Sequence, residues 1–161
     1  MVIHTSILQT PIGSLVIEAN ETEVHFIGFK DDIKKEAPNI LTQKAKDQLT
    51  EYFSGKRYEF DFPIGQTGTD FQQSVWKELI NISAGKPISY TALSDKMSNP
   101  LAIRAIASAN GKNKLMIVVP CHRVIGSNGD LVGYAGGLWR KKWLLEYEAK
   151  MTGIGQTVLS F

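Results

Sequence analysis

The sequence predicts an α+β chain in two parts: a strand-rich first part closed by one helix, then a mostly helical second part. Three observations carry this. Residues 3–29 hold three short runs of β-forming residues separated by turn signals. From residue 41 onward, apolar residues recur at helical spacing instead of alternating. The charge divides as well: residues 1–66 hold 7 basic and 10 acidic side chains, a net of −3, whereas residues 67–161 hold 11 and 6, a net of +5. The boundary is therefore placed between 66 and 67, giving an N-terminal α/β domain over 1–66 and a helical domain over 67–161.

Ile3 to Gln9 reads as the first strand, followed by the turn Thr10-Pro11-Ile12-Gly13. Leu15-Val16-Ile17 resumes an extended run, and Asn20-Glu21-Thr22 is a second turn. Val24 to Phe29 is the third strand of an antiparallel meander. Leu41, Ala45, Leu49, Tyr52 and Phe53 define a helix that Ser54-Gly55 stops. His4 and His25 lie in strand-like runs without partners and read as surface or structural.

The second part begins at the capping box Thr69-Asp70-Phe71-Gln72, which opens a helix to about Asn81. Ser89 caps a short helix through Met97. Asn99-Pro100, an N-cap with proline at the first helical position, opens another over Leu101 to Ala109, ended by Asn110-Gly111. Two short helices parted by Ser98-Asn99 read as a helix-turn-helix, a pattern weak on its own. Leu115 to Val119 is an apolar run read as a strand. Residues 126–137 are glycine-rich loop, and the last helix runs from Leu138 to about Lys150. The tail from Thr152 has no clear pattern.

Composition narrows the function. With 43% hydrophobic and 21% charged residues the chain reads as globular, long enough to bury a core without staples. One cysteine excludes an internal disulfide framework and any thiolate-rich zinc site. The first residues show no signal-peptide pattern, and no stretch nears the ~20 apolar residues of a membrane helix, so a cytoplasmic protein without membrane association is expected. No phosphate-binding glycine loop is present.

Between Asp95 and Asp130 there is no acid, while Lys96, Arg104, Lys112, Lys114 and Arg123 fall in that window. Such a stretch suits a polyanion or a solvated basic face. Inside it lies Val118-Val119-Pro120-Cys121-His122-Arg123-Val124. A lone cysteine is most often a small buried hydrophobe. Here two cationic residues follow it directly, and neighbouring cations are expected to lower its pKa toward the reactive thiolate.

Pro-Cys-His-Arg-Val resembles the active-site motif of the O-6-alkylguanine-DNA alkyltransferases, also called methylated-DNA–protein-cysteine methyltransferases. The likeness extends in order through Phe71-Gln72, Val75-Trp76, Ile88-Ser89-Tyr90, Arg104-Ala105 and Ala109-Asn110-Gly111-Lys112-Asn113. It continues through Ile125-Gly126, Gly129, Gly133 to Leu138, Leu144-Leu145 and Glu148. It covers residues 69–148 closely, whereas the first third matches only in general character.

The resemblance implies a ribonuclease-H-like first domain with a three-stranded antiparallel sheet and a winged helix-turn-helix second domain. It implies direct repair: one alkyl group passes irreversibly from O-6-alkylguanine, and from O-4-alkylthymine, to Cys121, restoring the base. His122 resembles the general base acting on the thiol through a water. Glu148 resembles the carboxylate that orients His122, and Asn113 the brace of the active-site turn. Tyr90 resembles the donor that steadies the leaving purine. Arg104 resembles the side chain that fills the stack when the base is flipped out. Ala102 and Ala105 are the small residues of a helix entering the minor groove, with Lys96, Lys112, Lys114 and Arg123 on the DNA side. Val124, Tyr134, Ala135 and Gly136 are expected to shape the base pocket.

Two departures from the family pattern are Ala135, where some members carry serine, and Lys114, where proline is common. Lys114 either loosens the turn or adds a phosphate contact. The implied partner is double-stranded DNA bound by a monomer, with no cofactor and no metal. Two other readings are a non-enzymatic damage sensor, which usually has tryptophan at the cysteine position, and a cysteine hydrolase, which generally brings its histidine from a distant segment.

Overall fold

The computed structural model describes residues 2–32 and 35–154; residues 155–161 of the patternless tail lie outside the described residues. The chain forms two compact units. One comprises Met1–Thr67 together with Lys114–Val118, the other Gly68–Asn113 together with Val119–Phe161.

In the first unit, β1 (His4–Thr10), β2 (Gly13–Ala19) and β3 (Val24–Phe29) form the antiparallel sheet in the order β1-β2-β3. Pro11-Ile12 makes the β1–β2 turn, with Thr10 paired to Gly13. Gly13 takes a φ of 120°, a conformation that favours glycine. Leu15, Ile17 and Ala19 alternate along β2 and are fully buried. Helix α1 (Ile40–Phe53) packs on the sheet, with Ala45, Leu49 and Tyr52 as its buried stripe. Asn39 and Thr42 cap its start reciprocally.

The run Leu115–Val119 is not the expected strand. Only Leu115 pairs, in one parallel bridge to Ile27. The Ile27 amide donates to the Lys114 carbonyl at 2.9 Å, and the Met116 amide to the Ile27 carbonyl at 3.0 Å. The chain then reverses: the Val118 amide donates to the Met116 carbonyl at 2.8 Å across Ile117, whose φ is 72°. A β-branched residue there is strained, and the pairing with Ile27 goes no further than Met116, just before it.

The second unit holds α2 (Asp70–Leu79), α3 (Tyr90–Lys96), α4 (Ile103–Gly111) and α5 (Leu138–Thr152). A two-residue parallel pair joins β4 (Ile88–Ser89) to β5 (Val124–Ile125). Thr69 and Gln72 form the capping box of α2, and Ser89 caps α3. The Trp76 indole donates to the Ala109 carbonyl at 2.8 Å, tying α2 to α4.

Helix α4 begins later than Asn99-Pro100 predicts. The Ala102 amide donates to the Asn99 carbonyl at 3.1 Å, so Pro100 occupies a turn and Ala102 is the cap residue. The fixed φ of proline suits a turn as well as a first helical residue, and the turn prevails here. Asn110 and Gly111 are the last two residues of α4, with Lys112 as its cap, and Asn110 lies on its buried face. Among the described residues, no helix is long and apolar enough to cross a membrane.

Candidate active site

Pro120 has φ −80° and ψ 66°, and across it the Cys121 amide donates to the Val119 carbonyl at 2.8 Å. This is an inverse γ-turn. The Pro120 carbonyl then accepts from the Arg123 amide at 3.0 Å, closing a single 3-10 turn over Cys121–Arg123. Asn113 Nδ2 donates to the Val119 carbonyl at 2.8 Å and so braces this corner from the end of α4. Three consecutive side chains, Cys121, His122 and Arg123, are thereby buried.

Glu148, on the inner face of α5, collects two of them. Its Oε2 lies 2.8 Å from His122 Nε2 and 2.8 Å from Arg123 Nη2, and its Oε1 accepts from Arg123 Nε at 2.8 Å. Arg123 Nη1 donates to the Ile82 carbonyl at 2.7 Å. Arg123 is therefore not the DNA contact the sequence suggested. Its guanidinium is buried and committed to Glu148 and Ile82, out of reach of a phosphate.

Charge follows from this geometry. Burial alone would raise the Glu148 carboxyl, but His122 and Arg123 outweigh it and hold the group well below the usual carboxylate range. Burial lowers the His122 imidazole against the pull of Glu148. With Nε2 facing the carboxylate, Nδ1 carries the lone pair and has no hydrogen-bond partner among the described residues. Burial also raises the Cys121 thiol, opposed by the Asn113 hydrogen bond and the Lys141 charge. The expectation that adjacent cations make a resting thiolate is thus overturned. Arg123 is neutralised by Glu148 and His122 is held uncharged, so the thiol needs a base.

Cys121 lines a pocket of about 200 Å³ within the second unit, together with Tyr90, Asn110, Asn113, Tyr134 and Ala135. Val132, Gly133, Ala107 and Gly111 complete it. This volume is smaller than drug-sized sites, which begin near ~300 Å³, and suits one small ring system. Val124 and Gly136, expected in the pocket, are buried but do not line it. Burial raises the phenols of Tyr90 and, more strongly, Tyr134, so both stay protonated as donors. Tyr134 Oη is buried without a hydrogen-bond partner among the described residues.

Arg104, Ala105, Lys96 and Lys112 are exposed on α3, α4 and the residues after them, and Ala102 is half-buried. Lys114 is exposed on the first unit, where its amide donates to Gln66 Oε1 at 2.8 Å. Among the described residues, no group of His, Cys, Asp and Glu is arranged to hold a metal ion.

Sequence reasoning missed two residues. Lys141 is fully buried, and its ammonium donates to the carbonyls of Val132 (3.1 Å) and Gly133 (3.2 Å) on the pocket wall. Asn110 is buried against Tyr90 and Cys121. The signal was present in both cases: each is a polar residue inside an apolar helical stripe, Lys141 with Leu144 and Leu145, and Asn110 with Ile106.

Comparison with known proteins agrees with this architecture. Residues 3–66 match the family model described as 6-O-methylguanine DNA methyltransferase, ribonuclease-like domain. Residues 70–150 match that described as 6-O-methylguanine DNA methyltransferase, DNA binding domain. The chain is 41% identical over 149 residues to a methylated-DNA–protein-cysteine methyltransferase of Methanosarcina mazei, covering 88% of this chain and 94% of the relative. It is 40% identical over 153 residues to the constitutive enzyme of that name from Bacillus subtilis, covering 87% and 92%. The crystal structure of Mycobacterium tuberculosis O6-methylguanine methyltransferase superposes with a TM-score of 0.83 at 38% identity, over 93% of this chain and 94% of that one. A crystal structure of the Mycobacterium tuberculosis protein in complex with DNA gives 0.83 at 40% identity, over 92% and 94%.

Proposed function

Because the chain belongs to the 6-O-methylguanine DNA methyltransferase family, we propose that it repairs DNA by moving the alkyl group of an O-6-alkylguanine onto Cys121. The observation that carries this reading is the buried Cys121 thiol on the wall of a base-sized pocket, followed by a histidine whose Nε2 is fixed on Glu148. Methylated thymine at O-4 presents a similar alkyl ether and is a second substrate. The compartment is the cytoplasm, where a lone thiol stays reduced.

A raised thiol beside a neutral imidazole describes base-assisted attack. A water bridging to Nδ1 of His122 takes the Cys121 proton, and Glu148 stabilises the imidazolium that forms. The sulfur then bonds the alkyl carbon as the carbon–oxygen bond breaks. The electron pair stays on the purine oxygen, and the Tyr90 hydroxyl steadies the anion. The purine takes one proton from water and His122 returns one, so thiol plus alkylguanine becomes thioether plus guanine. Nothing in this sequence regenerates the thiol, so each molecule acts once.

The target oxygen is inaccessible within a duplex, so the nucleotide must be extruded. Arg104, exposed on α4 beside Ala102 and Ala105, is suited to fill the vacated stack from the minor groove. Lys96, Lys112 and Lys114 supply phosphate contacts, and the protein binds as a monomer.

The test is an intact mass after incubation with a duplex carrying one O-6-methylguanine. One methyl gain on Cys121, stoichiometric, with guanine restored, is the expected result. No gain, or turnover beyond one equivalent, overturns the reading.

A further inference from the structure

Asn110 lies on the inner face of α4, 6% exposed, and lines the pocket with Cys121 and Tyr90. Its Nδ2 sits 3.2 Å from the Cys121 carbonyl and 3.1 Å from Tyr90 Oη. A carbonyl only accepts, so the first contact fixes which end of the amide is nitrogen. Both amide hydrogens are then used, one on each neighbour. Tyr90 Oη is an acceptor toward Asn110, and its own proton must point elsewhere. The remaining atom, Asn110 Oδ1, is buried and has no hydrogen-bond partner among the described residues. An isolated buried acceptor of this kind calls for a donor from outside the fold.

This inference rests on the alkyltransferase reading. In an O-6-alkylguanine nucleotide, alkylation removes the hydrogen from N1 and the sugar occupies N9. The exocyclic 2-amino group is then the base's one N–H donor. We propose that Asn110 is a specificity-determining residue of the lesion pocket: Oδ1 accepts from the 2-amino group of the extruded guanine, while Nδ2 holds the Tyr90 hydroxyl so that its O–H donates a hydrogen bond to the same purine. One amide would thus couple recognition of guanine to the group that steadies it as it leaves.

The test compares two duplexes that differ only in carrying O-6-methylguanine or O-6-methylhypoxanthine, which lacks the 2-amino group. Single-turnover methyl transfer to the full chain is timed by intact mass for wild type, Asn110→Leu and Asn110→Ala. Wild type should favour the guanine lesion about tenfold, the scale of one neutral hydrogen bond. Both variants should bring that ratio close to one, mainly by slowing repair of the guanine lesion. The ratio is taken on one protein preparation, so partial loss of folded protein cancels. A wild type without preference, or variants that keep the preference, overturns the assignment of Asn110 and leaves the alkyltransferase reading standing. A wild type that gains no methyl from either duplex overturns that reading itself.

Discussion

Glu148 serves His122 and Arg123 at the same time, at 2.8 Å from His122 Nε2 and 2.8 Å from both Arg123 Nε and Arg123 Nη2. The two residues adjoin in sequence, and a 3-10 turn aims both at one carboxylate of α5. Because the guanidinium supplies the countercharge, the imidazole need not be protonated to satisfy Glu148. The histidine is held neutral and oriented, with Nδ1 free, which is the state a general base requires.

Glu148→Gln should therefore lower methyl transfer about a hundredfold or more, the usual contribution of an oriented base. It should also leave Arg123 buried without a counterion, a change that costs about 3–5 kcal/mol. Rapid-quench methyl transfer and a thermal melt on the same sample separate the two. A variant that melts lower yet transfers methyl at the wild-type rate would remove Glu148 from the reaction.

The same carboxylate sets an acid limit on folding. Its folded-state pKa lies below the ordinary value of 4.5, so below that pH the unfolded chain takes up a proton that the native protein refuses. The stability it contributes is complete above about pH 4.5 and is lost as pH falls through the folded value. Urea midpoints between pH 2 and 5 should decline more steeply for wild type than for Glu148→Gln. Superimposable slopes would contradict the pairing.

How much of this was legible in the sequence depends on where the information lay. The meander and the Thr69–Gln72 capping box were readable, because turn chemistry and capping are written in local residue types, whereas the pairing of His122 with Glu148 was legible only through the family resemblance. The Ile117 reversal was not, since an isoleucine with positive φ contradicts its own preference and is imposed by tertiary structure. The role of Arg123 was misread for a related reason. A basic window says nothing about which cations face inward, and only the fold brings Glu148 to within hydrogen-bond distance of residue 123.

Arg104→Ala should separate base extrusion from chemistry. Arg104 is exposed on α4 and does not line the Cys121 pocket. Its loss should slow repair in duplex DNA about tenfold to a hundredfold, since unstacking costs a few kcal/mol. Reaction with free O-6-benzylguanine, which needs no extrusion, should be nearly unchanged. Equal slowing of both reactions would show that Arg104 acts inside the pocket.

Lys141 should give the opposite pattern. Its ammonium clamps the carbonyls of Val132 and Gly133, which line the pocket, so Lys141→Met should slow the free base and the duplex lesion alike. Lys141 also has a pH signature of its own. Burial lowers its pKa from 10.5 to about 8, which disfavours the charged form in the fold. At neutral pH this costs about 3 kcal/mol, since each tenfold loss of proton affinity is worth about 1.4 kcal/mol. Between pH 8 and 10.5 the unfolded chain still holds the proton that the native protein has released, so stability should rise with pH. The buried thiol and phenols, raised by burial, act in the opposite direction over the alkaline range. The readable quantity is therefore the difference between wild type and Lys141→Met in urea unfolding at each pH. That difference should shift in favour of wild type from pH 8 to 10.5, and parallel curves would mean that Lys141 keeps its ordinary charge in the fold.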